Sequence, residues 1–199
     1  MRGSVLIGAA GLLAVGAWVM YRQRQEEAAP DAAPADGGGW LESAADVGDT
    51  IVSKTVNLLQ LWRAPERYAG LIAQAEQDNG LPALMLERLL YQESRYREDI
   101  ISGATRSPAG ALGIAQFMPA TARDMGIDPL NPAQAIPAAA RYLRSLFNRF
   151  GNWSEALAAY NWGMGNVSRK GLEAAPRETR NYFGQILADV NSTAGTDYA

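Results

Sequence analysis

The chain has 199 residues, 48% of them hydrophobic and 20% charged, enough apolar material for one compact domain with appendages. It contains no histidine and no cysteine, which excludes histidine-activated serine or cysteine nucleophiles, Cys/His zinc sites and disulfides. The formal net charge is -3, and residues 64–190 hold 13 acidic against 13 basic side chains, a difference of zero; with no basic stripe to follow a phosphate backbone, nucleic acid is not an expected partner.

Residues 1–25 read as a transmembrane anchor. From Gly3 to Tyr21 the stretch GSVLIGAAGLLAVGAWVMY runs 19 residues without a charge, which at about 1.5 Å per residue nearly spans a hydrocarbon core about 30 Å thick. Trp18 and Tyr21 sit near one end as interfacial aromatics would, with Arg22 and Arg24 beyond them. The alternative is a cleaved signal peptide, which Arg2 supports and the arginines directly after the run oppose. Residues 26–39 mix Glu, Asp, Ala, Pro and Gly without apolar periodicity and read as a flexible linker. Residues 40–62 place Leu41, Ala44, Ala45, Gly48, Val52, Val56 and Leu59 at helical spacing, an amphipathic segment able to pack on the domain or on a partner.

The globular part, residues 63–191, reads as all-α, with at most a small β-hairpin, because Ala-rich helical patterns dominate and β-branched runs are few. A helix over Pro65 to Asp78 is closed by Asn79 and Gly80, and a second is expected to open at Pro82. The stretch SGATRSPAGALG is a loop long enough for a functional backbone shape or the hairpin. Ile136, Ala139, Ala140, Leu143, Leu146, Phe147 and Phe150 form one core stripe with Gly151 as the stop. Ser154 is the expected cap of the next helix. Pro176 opens a last one that buries Tyr182, Phe183, Ile186, Leu187 and Val190. Residues 192–199 read as a flexible tail.

One residue breaks the pattern. In the helix after Pro82, Leu86, Leu89 and Leu90 recur three and four apart, and Glu93 continues their row onto the apolar side. A carboxyl buried without an obvious partner is disfavoured as an anion, so its pKa is expected to rise into the range of a general acid. The alternative is an exposed helix-end glutamate paired with Arg97. Ser94 beside it can fix a neighbouring carboxyl or backbone group. GALGIAQFMP offers Gln116 as amide donor and acceptor, with Phe117 and Met118 as apolar wall. AYNWGMG sets Tyr160 and Asn161 at a helix end beside glycines, a combination suited to the apolar face and polar rim of a sugar ring.

In this order the motifs resemble the SLT-type lytic transglycosylases, relatives of goose-type lysozyme that cleave peptidoglycan glycan strands. The likeness rests on ES at Glu93 and Ser94, SPAGALGIAQFMPATA, AYNWGMG and ETRNY, over roughly residues 66–190. Departures are Ile114 and Ala115, where Leu and Met are usual, and Trp162, where a small residue is common. The resemblance implies that Glu93 protonates the bond between N-acetylmuramic acid and N-acetylglucosamine and then acts as base to close a 1,6-anhydro ring, with no cofactor and no metal. It implies that Ser94 and Gln116 orient the acid and the sugars, that Met118 lines the cleft, that Tyr160 and Asn161 contact the reacting centre, and that Glu178 with Tyr182 completes its floor. From spacing alone, Asp99, Asp124 and Glu155 stay open as second carboxylates.

The expected protein is thus a membrane-anchored lytic transglycosylase whose domain faces peptidoglycan, at a bacterial inner membrane or in a virion. Its expected partners are glycan strands, the membrane, and components of an envelope-spanning or virion assembly. The alternatives are a lysozyme-type hydrolase on the same fold and a non-catalytic glycan-binding part of an entry or secretion machine.

Overall fold

The computed structural model describes residues 62–195, 197 and 198; the expected anchor and linker, and the amphipathic segment apart from Trp62, lie outside these residues. The described chain is helical. Its elements are α1 (Glu66–Asn79), α2 (Met85–Ser94), α3 (Glu98–Ile101), α4 (Pro119–Asp124), α5 (Pro132–Phe150), α6 (Trp153–Ala158), a π-helical turn (Ala159–Gly163), α7 (Met164–Lys170) and α8 (Arg177–Ala194). Among the described residues no strand forms. What the hairpin becomes is one antiparallel bridge, in which Leu112 and Phe117 exchange backbone bonds of 3.0 and 3.1 Å.

The long helix α5 packs against α1 and α6, while α8 packs against α2 and α6. Asn131 starts α5 by accepting from the Ala133 N–H at 3.0 Å, Pro132 takes the first turn, and Gly151 at φ 83° ends it. Ile136, Ala139, Ala140, Leu143 and Leu146 of the expected stripe are buried, and Phe147 and Phe150 are partly so. In α2, Leu86, Leu89 and Leu90 are fully buried, each contributing about 1.5–3 kcal/mol by leaving water. On α8, Tyr182, Ile186, Leu187 and Val190 face the core and Phe183 packs at its margin.

Three boundaries differ from the sequence reading. Helix α2 begins at Met85, because Leu84 before it adopts a left-handed φ of 69°. Its first amides are satisfied from a distance: the Glu76 carboxylate on α1 accepts from the N–H groups of Leu84 (3.0 Å), Leu86 (2.8 Å) and Glu87 (3.2 Å). The cap of α6 is Asn152 and not Ser154, since the Asn152 Oδ1 accepts from the Glu155 N–H at 2.8 Å. Helix α8 also runs to Ala194, into the expected tail.

Glu76 couples α1 to α2 and so fixes where the following helix points. Burial pushes its carboxyl above the ordinary 4.5, outweighing the three backbone N–H bonds that pull it down. Because the folded state holds this proton more tightly than the unfolded chain, its contribution falls as pH rises from about 4.5 through the folded pKa. Urea unfolding from pH 4 upward should show that decline, and Glu76→Gln should flatten it. Glu76→Ala strands three donors, two of them buried, and is expected to lower stability by about 1–3 kcal/mol.

Candidate active site

Glu93 sits one residue before the end of α2 and is 7% exposed, so its inward orientation is observed. Arg97 pairs with Asp99, at 2.7 Å between Nη2 and Oδ2. Glu93 opens onto a cavity of about 70 Å³ that is lined also by Ala109, Ala111, Gln116, Met118, Tyr160 and Asn161. Four residues singled out in the sequence, from two separate segments, therefore meet Glu93 at one cavity. Among the described residues that line it, Glu93 is the one carboxylic acid. Asp124 is exposed, Asp99 is bound to Arg97, and Glu155 accepts from the Asn152 side chain at 2.5 Å.

The wall opposite the glutamate is a tight turn. Gly113 has φ 74°, and a Cβ there would lie 1.8 Å from the Pro129 carbonyl oxygen, so the position demands glycine on two counts. Gln116, at a left-handed φ of 47°, folds its side chain back so that Nε2 donates to the Gly113 carbonyl at 2.8 Å. Tyr160 closes the turn from the other side by donating its hydroxyl to the Ala115 carbonyl at 3.0 Å. Its ring packs on Phe117 and Tyr142, with centroids 6.2 and 5.5 Å away. Burial, reinforced by the Glu93 charge and by Tyr142, pushes the Tyr160 phenol well above its ordinary range, so it remains a donor.

Tyr160 and Asn161 belong to the π-helical turn that links α6 to α7. Such turns are rare and concentrate at functional sites. Gly163 leaves this one at φ 94°, and Asn166 satisfies the Trp162 carbonyl through a 2.7 Å bond from Nδ2. The first two turns of α8 support the floor. Tyr182, 1% exposed, donates its hydroxyl to the Glu93 Oε1 at 2.5 Å, and Thr179 donates to the Asn161 Oδ1 at 2.9 Å. The Glu178 carboxylate oxygens are withdrawn from solvent one turn before Tyr182, without lining the cavity. Ser94 does not line it either: its hydroxyl donates to the Leu90 carbonyl at 3.0 Å and accepts from the Tyr96 N–H at 3.2 Å. That stabilises the left-handed residues Arg95 and Tyr96, at φ 51° and 53°, directly after the acid.

The sequence that builds this site matches a known family model. The model of the transglycosylase SLT domain matches residues 70–183. The chain belongs to that family. A peptidoglycan transglycosylase, gp16 of Escherichia phage T7, is 34% identical over 140 residues, 62% of this chain and 10% of that protein. Membrane-bound lytic murein transglycosylase F of Alcanivorax borkumensis is 39% identical over 109 residues, covering 50% of this chain and 22% of the other. The transglycosylase of Enterobacteria phage PRD1 is 35% identical over 92 residues, 46% of this chain and 32% of that one. The chain thus spans a third or less of these relatives. An X-ray structure of an inactive mutant of the lytic transglycosylase Slt from Pseudomonas aeruginosa superposes with a TM-score of 0.55 at 24% identity, over 77% of this chain and 30% of that one, and shows the shared fold.

Within the SLT domain the sequence departures fall away from the cavity. Ile114 and Ala115 are fully buried and Trp162 is 8% exposed, so these changes repack the core behind the cleft. The residues missed by sequence reading are Thr179, which stood inside ETRNY without a role, and Ala109 and Ala111, whose small side chains carry no chemical signal. Gly113→Ala tests the turn: left-handed strain and the collision with Pro129 together are expected to cost about 2–5 kcal/mol. Thermal unfolding would read that loss, and amide chemical shifts over residues 111–118 would register the displaced turn.

Proposed function

We propose that this SLT domain is a peptidoglycan lytic transglycosylase in which Glu93 serves both as acid and as base. The observation that carries the reading is a single buried carboxyl at the cavity, held from beneath by Tyr182. In the first step the protonated Glu93 gives its proton to the oxygen that joins C1 of N-acetylmuramic acid to N-acetylglucosamine. The C1–O bond breaks and the departing sugar leaves with a hydroxyl. In the second step the Glu93 carboxylate takes the proton from the muramyl C6 hydroxyl as that oxygen bonds to C1. The products are a 1,6-anhydromuramyl end and the released chain end, and the acid is regenerated without water.

One carboxyl suffices for this cycle, whereas ordinary glycosidases use a pair. Both protonation states must be accessible in turn. The Tyr182 hydroxyl, which donates to Glu93 Oε1, holds the carboxyl in place through both steps. Gln116, Met118, Tyr160 and Asn161 supply amide, thioether and aromatic surface for the sugars.

The test is mass-spectrometric analysis of muropeptides released from sacculi. Anhydromuramic ends are expected; reducing muramic ends would instead identify a hydrolase, and glycan binding without products a non-catalytic module. Glu93→Gln should lower turnover about a hundredfold to ten-thousandfold, because an amide cannot supply the proton. Tyr182→Phe should lower kcat about tenfold while leaving KM nearly unchanged, since the phenol supports the acid from below. Full activity in Glu93→Gln would end the proposal.

The localisation reading rests on the apolar run 3–21 and on relatives that include membrane-bound and phage proteins. Among the described residues no helix is long and apolar enough to cross a membrane. The proposal is that residues 1–25 anchor the chain with the domain on the peptidoglycan side. In cells, the full-length chain should resist carbonate extraction from membranes, and protease should reach the domain from the periplasmic face. Access only from the cytoplasmic face would contradict this arrangement.

A further inference from the structure

The SLT cleft contains one donor whose situation the reaction alone does not explain. Asn161 is 7% exposed and lines the cavity with Glu93, yet its Nδ2 is buried with no hydrogen-bond partner among the described residues. A buried amide donor without an acceptor is costly in a folded chain, and such groups survive where a ligand completes them. The other end of the same carboxamide is not loose. Its Oδ1 accepts from the Thr179 hydroxyl at 2.9 Å, and Thr179 is fully buried in the first turn of α8. An asparagine amide can present either its oxygen or its nitrogen. With Oδ1 held by the Thr179 hydroxyl, Nδ2 is the end of the carboxamide left without a partner.

We propose that Thr179 is a positioning residue that fixes the Asn161 carboxamide so that Nδ2 donates a hydrogen bond to an acceptor oxygen of the glycan lying against Glu93. Thr179 does not touch the sugar; it determines which end of Asn161 does. The idea rests on the reading of the cleft as a glycan site, and it assigns a function to the threonine of ETRNY. The first two turns of α8 then steer two cleft residues at once: Tyr182 sets the acid and Thr179 sets the amide three residues earlier. Residues three apart lie on one helix face, which is how one face serves both.

Calorimetric titration of the full-length chain with tetra-N-acetylchitotetraose tests this without requiring turnover. Thr179→Val keeps the shape and removes the hydroxyl, and it should weaken Kd about tenfold, whereas Thr179→Ser should stay within about twofold. Asn161→Asp replaces the donor by an acceptor and should bind as poorly as Asn161→Ala. In the Asn161→Ala background, Thr179→Val should add no further loss, because a residue acting only through another has nothing left to act on. If Thr179→Val fails to fold, Thr179→Ala takes its place in the same cycle.

Binding by Thr179→Val equal to that of the unaltered chain would overturn the proposal, as would independent losses in the double variant or tight binding by Asn161→Asp. Saccharide binding that responds to these substitutions in a chain that never turns over peptidoglycan would remove the catalytic reading and leave this one standing. No saccharide binding by the unaltered chain would overturn this proposal, while anhydromuramic products from sacculi would leave the catalytic reading standing.

Discussion

The arrangement depends on one hydrogen bond between residues far apart in sequence, the Tyr182 hydroxyl on the Glu93 carboxyl at 2.5 Å. A carboxyl at the end of a helix can turn in several directions, and most of them lead to water. Here the α2–α8 packing brings a buried phenol beneath it and leaves one orientation, toward the cavity. Both elements that carry the bond are anchored independently. Leu86, Leu89 and Leu90 seat α2 in the core, and Ile186, Leu187 and Val190 seat α8. Arg88 joins the same two helices again by pairing with Asp189 at 2.6 Å. The geometry of the acid is therefore set by helix packing, which is stiff on the scale of a hydrogen bond.

Around this fixed point the backbone departs from regular structure wherever it borders the cleft. Arg95 and Tyr96 follow the acid in left-handed conformations, Gln116 adopts a third, and Tyr160 with Asn161 lies in a π-helical turn. Non-glycine residues in such conformations cost about 1–3 kcal/mol each and persist where their surroundings hold them. Each departure here has its restraint. Ser94 accepts from Tyr96 while the Tyr96 hydroxyl donates to the Glu87 carbonyl, Gln116 bonds the Gly113 carbonyl, and Asn166 bonds the Trp162 carbonyl. Of these residues, Gln116, Tyr160 and Asn161 line the cavity.

The helices were largely legible in the sequence, because apolar spacing and glycine stops are local signals: the α5 stripe, the Gly80 and Gly151 ends and the inward face of Glu93 all follow from it. The start of α2 was not, since the residue that caps it, Glu76, lies eight positions before the first amide it serves. No local pattern encodes that reach. Ser154 was expected to cap α6 because serine favours that position, but Asn152 two residues earlier takes the role with the same chemistry. In the site, Glu93, Gln116, Met118, Tyr160 and Asn161 were named from motifs and meet at one cavity. Ser94 was expected to act on the acid and instead restrains backbone, because its hydroxyl is spent on Leu90 and Tyr96. Thr179 was invisible because its contribution is made through a partner 18 residues away, on another element.

The cleft thus separates two tasks that a motif list runs together. The α2 end, the Gly113 turn and the π-helical turn present groups to the cavity, while the first two turns of α8 do not line it and hold what the others present. This division explains why ETRNY lies so far along the chain from Glu93. A supporting turn must approach the acid from its buried side, and residues near Glu93 in sequence are committed to α2 or to the strained turn after it. Only an element that returns after the core is built can close the floor, and α8, packed on both α2 and α6, is the helix placed to do so. A change in its first two turns would then alter the chemistry without altering any residue that a bound glycan touches.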